Sequence, residues 1–248
     1  MQLLMLAVLL LVSLTATAES LRFARNENLP EQDVAEAIFL QAMRNLQVSV
    51  EVDAVPPARA NMLNLTGAVA GEVARIEGYG EKNPSLIRVE PGHYYLTSVA
   101  FARKDHGIKL TDAADLAQFK VAHIRGVQHS TDIVKDLPFM RESNNSESLF
   151  SLLEAGRVDV VVTTGVDGRM MLQQMQMADA VEAVAELARR ELFVYLNREF
   201  KQWQQPISLE LQRMKASGEM AEIIAAQEQL LVDAVETAKP KVKVPAAN

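Results

Sequence analysis

Cysteine is absent from all 248 residues, which removes disulfides, thiolate metal ligands and cysteine nucleophiles from consideration. Stability then rests on an ordinary apolar core, and the chain is long enough to build one as a single large domain or as two smaller lobes. Long apolar runs are scarce as well. The only one covers residues 3–14, short of the ~20 residues of a membrane span. It leads into Ala16-Thr17-Ala18, an A-x-A pattern that predicts a secretory signal over residues 1–18 with cleavage before Glu19. Met1 and Gln2 lack the positive side chain usual ahead of such a run, so a buried N-terminal helix and an uncleaved anchor are the competing readings. No cysteine follows the run, which excludes a lipoprotein anchor. The expected product is a soluble exported protein.

Basic charge is in deficit, with 25 Lys and Arg against 32 Asp and Glu for a net charge of −7. That balance argues against general affinity for nucleic acid or anionic lipid. The four histidines, His93, His106, His123 and His129, show no metal-ligand spacing, and no metal site is expected. There is no nucleophile elbow, phosphate-binding loop or dinucleotide fingerprint, so no cofactor is expected. No internal repeat is visible.

The residues present alternate between strand and helix patterns. Residues 21–25 read as a strand, 26–30 as a turn, and 31–46 as a helix opened by Pro30, with Val34, Ile38 and Ala42 beside Ala35, Phe39 and Met43 at helical spacing. Residues 48–52 alternate as a second strand, and strand, helix, strand favours a parallel sheet covered by helices. A short helix over 59–65, a strand over 72–76, and strands over 87–89 and 94–103 follow. A second unit begins at Asp112, with helices over 113–119, 130–135, 146–155 and 166–175 and strands over 121–124, 139–141 and 158–162. A strand over 192–196 then returns, and helices over 207–216 and 220–231 are broken at Gly218. From residue 237 the chain lacks core-forming content and reads as a disordered tail.

Four stretches, in this order, carry a resemblance. Residues 59–75 combine a helix, a glycine and a Gly-x-x-x-Arg close, with Ala70 where an acidic residue is usual. Asp115-Leu-Ala-Gln-Phe-Lys-Val-Ala-His-Ile-Arg-Gly126 is similar to a "DL.GK.V.V..G" pattern. Glu147-Ser-Leu-Phe-Ser-Leu-Leu-Glu-Ala-Gly-Arg-Val-Asp-Val-Val-Val162 is similar to "L..G+.DA.V". Residues 192–224 are similar to a returning strand with closing "K..G....I" helices. Together they resemble the periplasmic solute-binding proteins of the amino-acid-binding type, family 3. The resemblance implies an α/β, two-lobed periplasmic-binding-protein-like fold of type 2 with a ligand cleft between the lobes. Lobe 1 would cover residues 19–98 and 192–236, and lobe 2 residues 99–191, with 237–248 as the tail.

Ligands of open α/β sheets settle beyond the carboxyl ends of strands, which singles out several residues. Arg125 and Gly126 follow a strand and suit a carboxylate or other anion, or are a solvated loop arginine beside a turn glycine. Ser130 and Thr131 are ligand donors or helix caps. Thr164 stands where the family often has an Asp that pairs with the ligand ammonium, and this departure argues against an α-amino acid, because a buried ammonium without a counter-charge is costly. The family's first-lobe arginine motif is not evident in residues 91–97; Arg75 is the candidate replacement, or a surface pair. Glu27, between Asn26 and Asn28, is a cation-seeking group or part of a plain turn. One of Tyr94 and Tyr95 is expected at the cleft, since strand neighbours face opposite ways. Asn145, with Asn144 and Ser146, lines the second wall or caps a helix. The methionines of residues 170–177 read as core filling.

The expected function is capture of a polar small molecule, such as an amino acid or related organic acid, by a monomer in the periplasm. A membrane partner, an ABC transporter or a sensor, would read the closed form. An enzyme on the same scaffold, similar to periplasmic cyclohexadienyl dehydratases with Glu27 and Arg125 as the reactive pair, is the alternative, and an adaptor that has lost ligand binding is a third.

Overall fold

The computed structural model describes residues 20–27, 29–125 and 127–237. The expected signal, Asn28, Gly126 and residues 238–248 of the expected tail lie outside the described residues.

Alternating short apolar strands and amphipathic helices assemble into one eight-stranded sheet. Its strands are β1 (Leu21–Asn26), β2 (Val50–Val55), β3 (Gly71–Ile76), β4 (Leu86–Arg103), β5 (Val121–Ile124), β6 (Met140–Ser143), β7 (Val160–Thr164) and β8 (Val181–Asn197). The spatial order is β2-β1-β3-β8-β4-β7-β5-β6. β1 pairs in parallel with β2 and β3, and β5 in parallel with β6 and β7. Each half is thus a parallel unit closed by the antiparallel pair β4 and β8, which passes through both. At ~3.3 Å per residue, the 18 residues of β4 are long enough to serve both halves.

The helices are α1 (Pro30–Asn45), α2 (Pro57–Leu65), α3 (Tyr79–Lys82), α4 (Gln128–Val134), α5 (Ser146–Glu154), α6 (Gly165–Gln174), α7 (Gln204–Ser217) and α8 (Glu219–Thr237). In the first half, the fully buried Val34, Ile38 and Phe39 of α1 meet Phe23 and Val73 of the sheet, with the Phe23 and Phe39 rings 4.6 Å apart. Ile207, Leu211 and Met214 of α7 complete that core. In the second half, Leu149, Phe150 and Leu153 of α5 cover one sheet face together with Phe101 and Val161. Leu116 and Val134 cover the other with Val121, Val160 and Val162. Helix α8 packs against α1 of the first half and α6 of the second. Among the described residues no helix is long and apolar enough to cross a membrane.

Three elements differ from the sequence expectation. Residues 87–89 and 94–103 belong to a single strand, β4, whose register shifts between Val89 and Tyr94 around Pro91, a residue without an N–H for the ladder. Residues 181–191, whose Glu, Ala, Leu and Arg content favours helix, extend β8 because they pair along β4, from Arg103 opposite Val181 to Tyr95 opposite Glu191. Tertiary pairing overrides local propensity there. The helix expected over 113–119 is a tight 3-10 segment, Ala113–Gln118, started by an Asp112 and Asp115 capping box.

Candidate functional site

A cleft of about 340 Å³ opens where β1, β3, β5 and β7 end, the position ligands take in open α/β sheets. From the first half, Leu29, Glu31 and Gln32 after β1 and Ile76 at the end of β3 line it. Leu96, Arg190 and Leu192 of the crossing strands form its floor. From the second half come Val127 and His129, after β5, and Thr164, the last residue of β7. A second cavity of about 310 Å³ shares Leu29, Gln32, Ile76, Leu96 and Leu192 with the cleft and adds Asn26, Arg75 and Tyr79. A third, about 190 Å³, shares Glu31 and is bounded by Tyr94, Tyr95, Arg169 and Glu228.

Glu31 is the central polar group. Pro30 starts α1 and places Glu31 in its first turn, where a carboxylate complements the helix dipole. Yet the residue is only 5% exposed, and its Oε1 has no hydrogen-bond partner. Burial raises its pKa above the ordinary carboxylate value, with Asp167 and Glu228 adding to the rise; the Thr164 hydroxyl and Glu31's own backbone N–H oppose it. Glu31 belongs to the first half and Thr164 to the second, so the two halves meet at this carboxyl. By contrast, the side chain of Gln32 is fully employed, receiving the Asn26 N–H and donating to the Ala74 carbonyl. Asn26 Oδ1 is left buried without a partner.

The other polar lining groups are quenched or paired. His129 Nδ1 and Ser98 Oγ share a hydrogen bond of 2.9 Å, and burial, helped by the Arg190 charge, holds the imidazole pKa near 4. It is therefore neutral at pH 7. Arg190 donates to Asp132 at 2.9 Å. The Thr164 hydroxyl accepts the Asp167 N–H at 3.2 Å as the cap of α6 and interacts with the Glu31 carboxyl from the other half.

No family model matches the chain. A protein of Shewanella oneidensis described as uncharacterized is 27% identical over 190 residues, 74% of this chain and 72% of that one. The L-cystine solute receptor of Neisseria gonorrhoeae, in its unliganded open conformation, superposes with a TM-score of 0.67 at 14% identity, over 82% of this chain and 90% of the receptor. The fold is that of the two-lobed periplasmic binding proteins. A VFT2 domain of BvgS from Bordetella pertussis shares it at a TM-score of 0.62 and 15% identity, over 84% and 93% of the two chains. So does a histidine kinase sensor domain similar to periplasmic binding proteins, at a TM-score of 0.61 and 16% identity, over 84% and 96%.

Within this periplasmic-binding fold the expected site residues separate. Thr164 lines the cleft. Tyr94 and Tyr95 line the adjoining cavity that shares Glu31. Both do so, with rings stacked 4.9 Å apart, although they pair in consecutive register with Leu192 and Glu191. Arg189 lies 4.0 Å over the Tyr95 ring. Arg75 borders only the second cavity; its guanidinium is taken up by buried Glu72, by the Pro57 carbonyl and by the face of Tyr79. Glu27 lies just past β1 and lines none of the three cavities, and its backbone N–H pairs with Val55. Arg125 is turned outward, its side chain 66% exposed and paired with Glu142 at 2.7 Å. Ser130 is buried beneath the wall, donating to the Val127 carbonyl and facing His123 Nδ1 at 3.3 Å. Asn145 caps α5 by accepting the Ser148 N–H at 2.8 Å. Gly126 lies outside the described residues. Glu31, His129 and Arg190 also line the cleft, and their local sequence does not mark them as site residues. A Pro-Glu pair at a helix start signals only dipole compensation, and nothing local says that its carboxyl becomes buried against the other half.

Proposed function

We propose that this protein captures a small solute between its two lobes in the periplasm and presents the closed form to a membrane transporter or sensor, without transforming the solute. The cleft at the strand ends carries this reading, because it is bordered by both lobes and lined by Glu31, a buried carboxyl whose Oε1 has no hydrogen-bond partner. A ligand entering there removes water from the apolar walls and supplies that acceptor with a donor, which favours closure. Binding rather than catalysis is supported by the placement of Glu27 and Arg125, the reactive pair of an elimination enzyme. Neither lines the cleft, and Arg125 is committed to Glu142. Thr164 contributes a hydroxyl contact in this reading, and Tyr94 and Tyr95 support the wall from the adjoining cavity.

The test is thermal unfolding of the chain from Glu19 against amino acids, polyamines, organic acids and aromatic metabolites. A compound at ~100 times its dissociation constant adds about 2.7 kcal/mol of stability. A shift with one chemical class, weakened by Thr164→Val and accompanied by unchanged compound in mass spectra, is the expected result. Conversion of the compound would replace binding with catalysis, and the absence of any shift would count against solute capture.

A further inference from the structure

Resting on the reading of the cleft as a solute site, we infer that the solute is an organic amine with an apolar body and no α-carboxylate, held through its ammonium group by Glu31. Three features of the walls converge on that class. First, the polar demand is for a donor. Glu31 Oε1 is buried and unpartnered, and Asn26 Oδ1, in the cavity that continues the cleft, is a second buried acceptor without a partner. Second, among the described residues the cations in and around the cleft already have acidic partners or are neutral, so an anionic group would have to compete for them. Arg190 is paired with Asp132, Arg75 with Glu72, Arg125 faces outward, and His129 is neutral. Third, the remaining walls are aliphatic side chains, Leu29, Ile76, Leu96, Val127 and Leu192, which suit a hydrocarbon or aromatic body and penalise a carboxylate that would be stripped of water.

The ammonium also suits the electrostatics around Glu31. A carboxyl desolvated beside Asp167 and Glu228 is strained toward its neutral form. A primary ammonium at Oε1 supplies both the missing hydrogen bond and the counter-charge, a charge-assisted pairing of the strong kind. Thr164, from the facing lobe, accommodates the same head group without adding charge.

Matched pairs that differ only by the α-carboxylate make the test. The protein is titrated with 2-phenylethylamine and phenylalanine, with isoamylamine and leucine, and with 3-phenylpropionate, following thermal unfolding and calorimetric affinity. An amine is expected to raise the midpoint while its amino acid and the acid do not. Glu31→Gln should weaken the amine at least about tenfold, the loss of one charge-assisted hydrogen bond, while itself unfolding at or above the wild-type temperature without ligand. A shift with an amino acid or the acid but no amine would overturn the ligand class and leave solute capture standing. An amine bound equally well by Glu31→Gln would overturn the role of Glu31. No shift with these pairs or with the wider set of metabolites would sink both.

Discussion

The Glu228 carboxylate joins Tyr94 to Arg169: one oxygen accepts the tyrosine hydroxyl at 2.7 Å and the other the guanidinium at 2.5 Å. Tyr94 stands on β4 in the first half, Arg169 on α6 in the second, and Glu228 on α8, so α8 is tied to both halves beside the crossing strands. Arg169 is 47% exposed, and solvent discounts its share; the Tyr94 bond, more sheltered, carries the larger part. Glu228→Ala is expected to cost about 1–2 kcal/mol, a fall in Tm of roughly 2–8 °C for a chain of this size. A double-mutant cycle with Tyr94→Phe checks it, and additive effects would show that the two groups do not cooperate.

Close packing between α6 and β4 makes a second prediction. A Cβ built on Gly168 would sit 2.1 Å from the Phe101 ring, which is itself buried against Phe150 at a ring separation of 5.7 Å. Gly168→Ala should destabilise by about 1–3 kcal/mol through overpacking. Measured by urea unfolding, that loss should shrink in a Phe101→Leu background. An equal loss in both backgrounds would place the strain elsewhere.

His93 supplies a pH dependence. It is 1% exposed, neither ring nitrogen has a well-aligned partner, and burial depresses its pKa to about 4. The unfolded chain binds this proton at pH ~6.5 and the folded one only near 4, so His93 favours folding above pH 6.5. That contribution is lost as pH falls from about 6.5 to about 4. His93→Leu should therefore flatten the stability profile over this window, and at pH 7 it should be neutral or stabilising, since both unpaired nitrogens leave together. An unchanged slope would mean that other groups set the acid sensitivity.

Glu31 works in the opposite sense. Its folded pKa is raised, so its contribution is fully present below the unfolded value, about 4.3, and is lost as pH rises through that value toward the folded one. Glu31→Gln is expected to stabilise the unliganded protein at pH 7 by on the order of 1 kcal/mol and to bring little gain near pH 4. Urea midpoints at the two pH values decide this, and a stability loss at pH 7 would show that the carboxylate is satisfied in the native state.

Arg125 and Thr164 form a contrasting pair for ligand affinity. Arg125→Ala, at an outward side chain paired with Glu142, is expected to change affinity less than about twofold, whereas Thr164→Val removes a hydroxyl bonded within the site and should cost about threefold to tenfold. Calorimetry on both variants tests the assignment of the cleft. A larger loss at Arg125 would move the site toward the β5 edge.

By itself the sequence determined the alternating strand and helix order, the α/β class and the likeness to a two-lobed binding fold, because apolar periodicity and turn residues are local signals that survive without tertiary context. The same local logic placed Thr164 at a strand end before a helix, the position it takes in the structure. What only the tertiary structure decided was how distant segments meet. Residues 181–191 become strand because β4 offers an edge along its length. Arg75 is consumed by Glu72, three residues earlier on the same strand, whose burial its spacing does not reveal, and Arg125 by Glu142 of the neighbouring strand β6. Glu31 turns from a helix-opening carboxylate into a buried, unsatisfied one because the second half of the chain closes over it. Burial and charge pairing are properties of the assembled neighbourhood, and a residue's own sequence context carries no record of them.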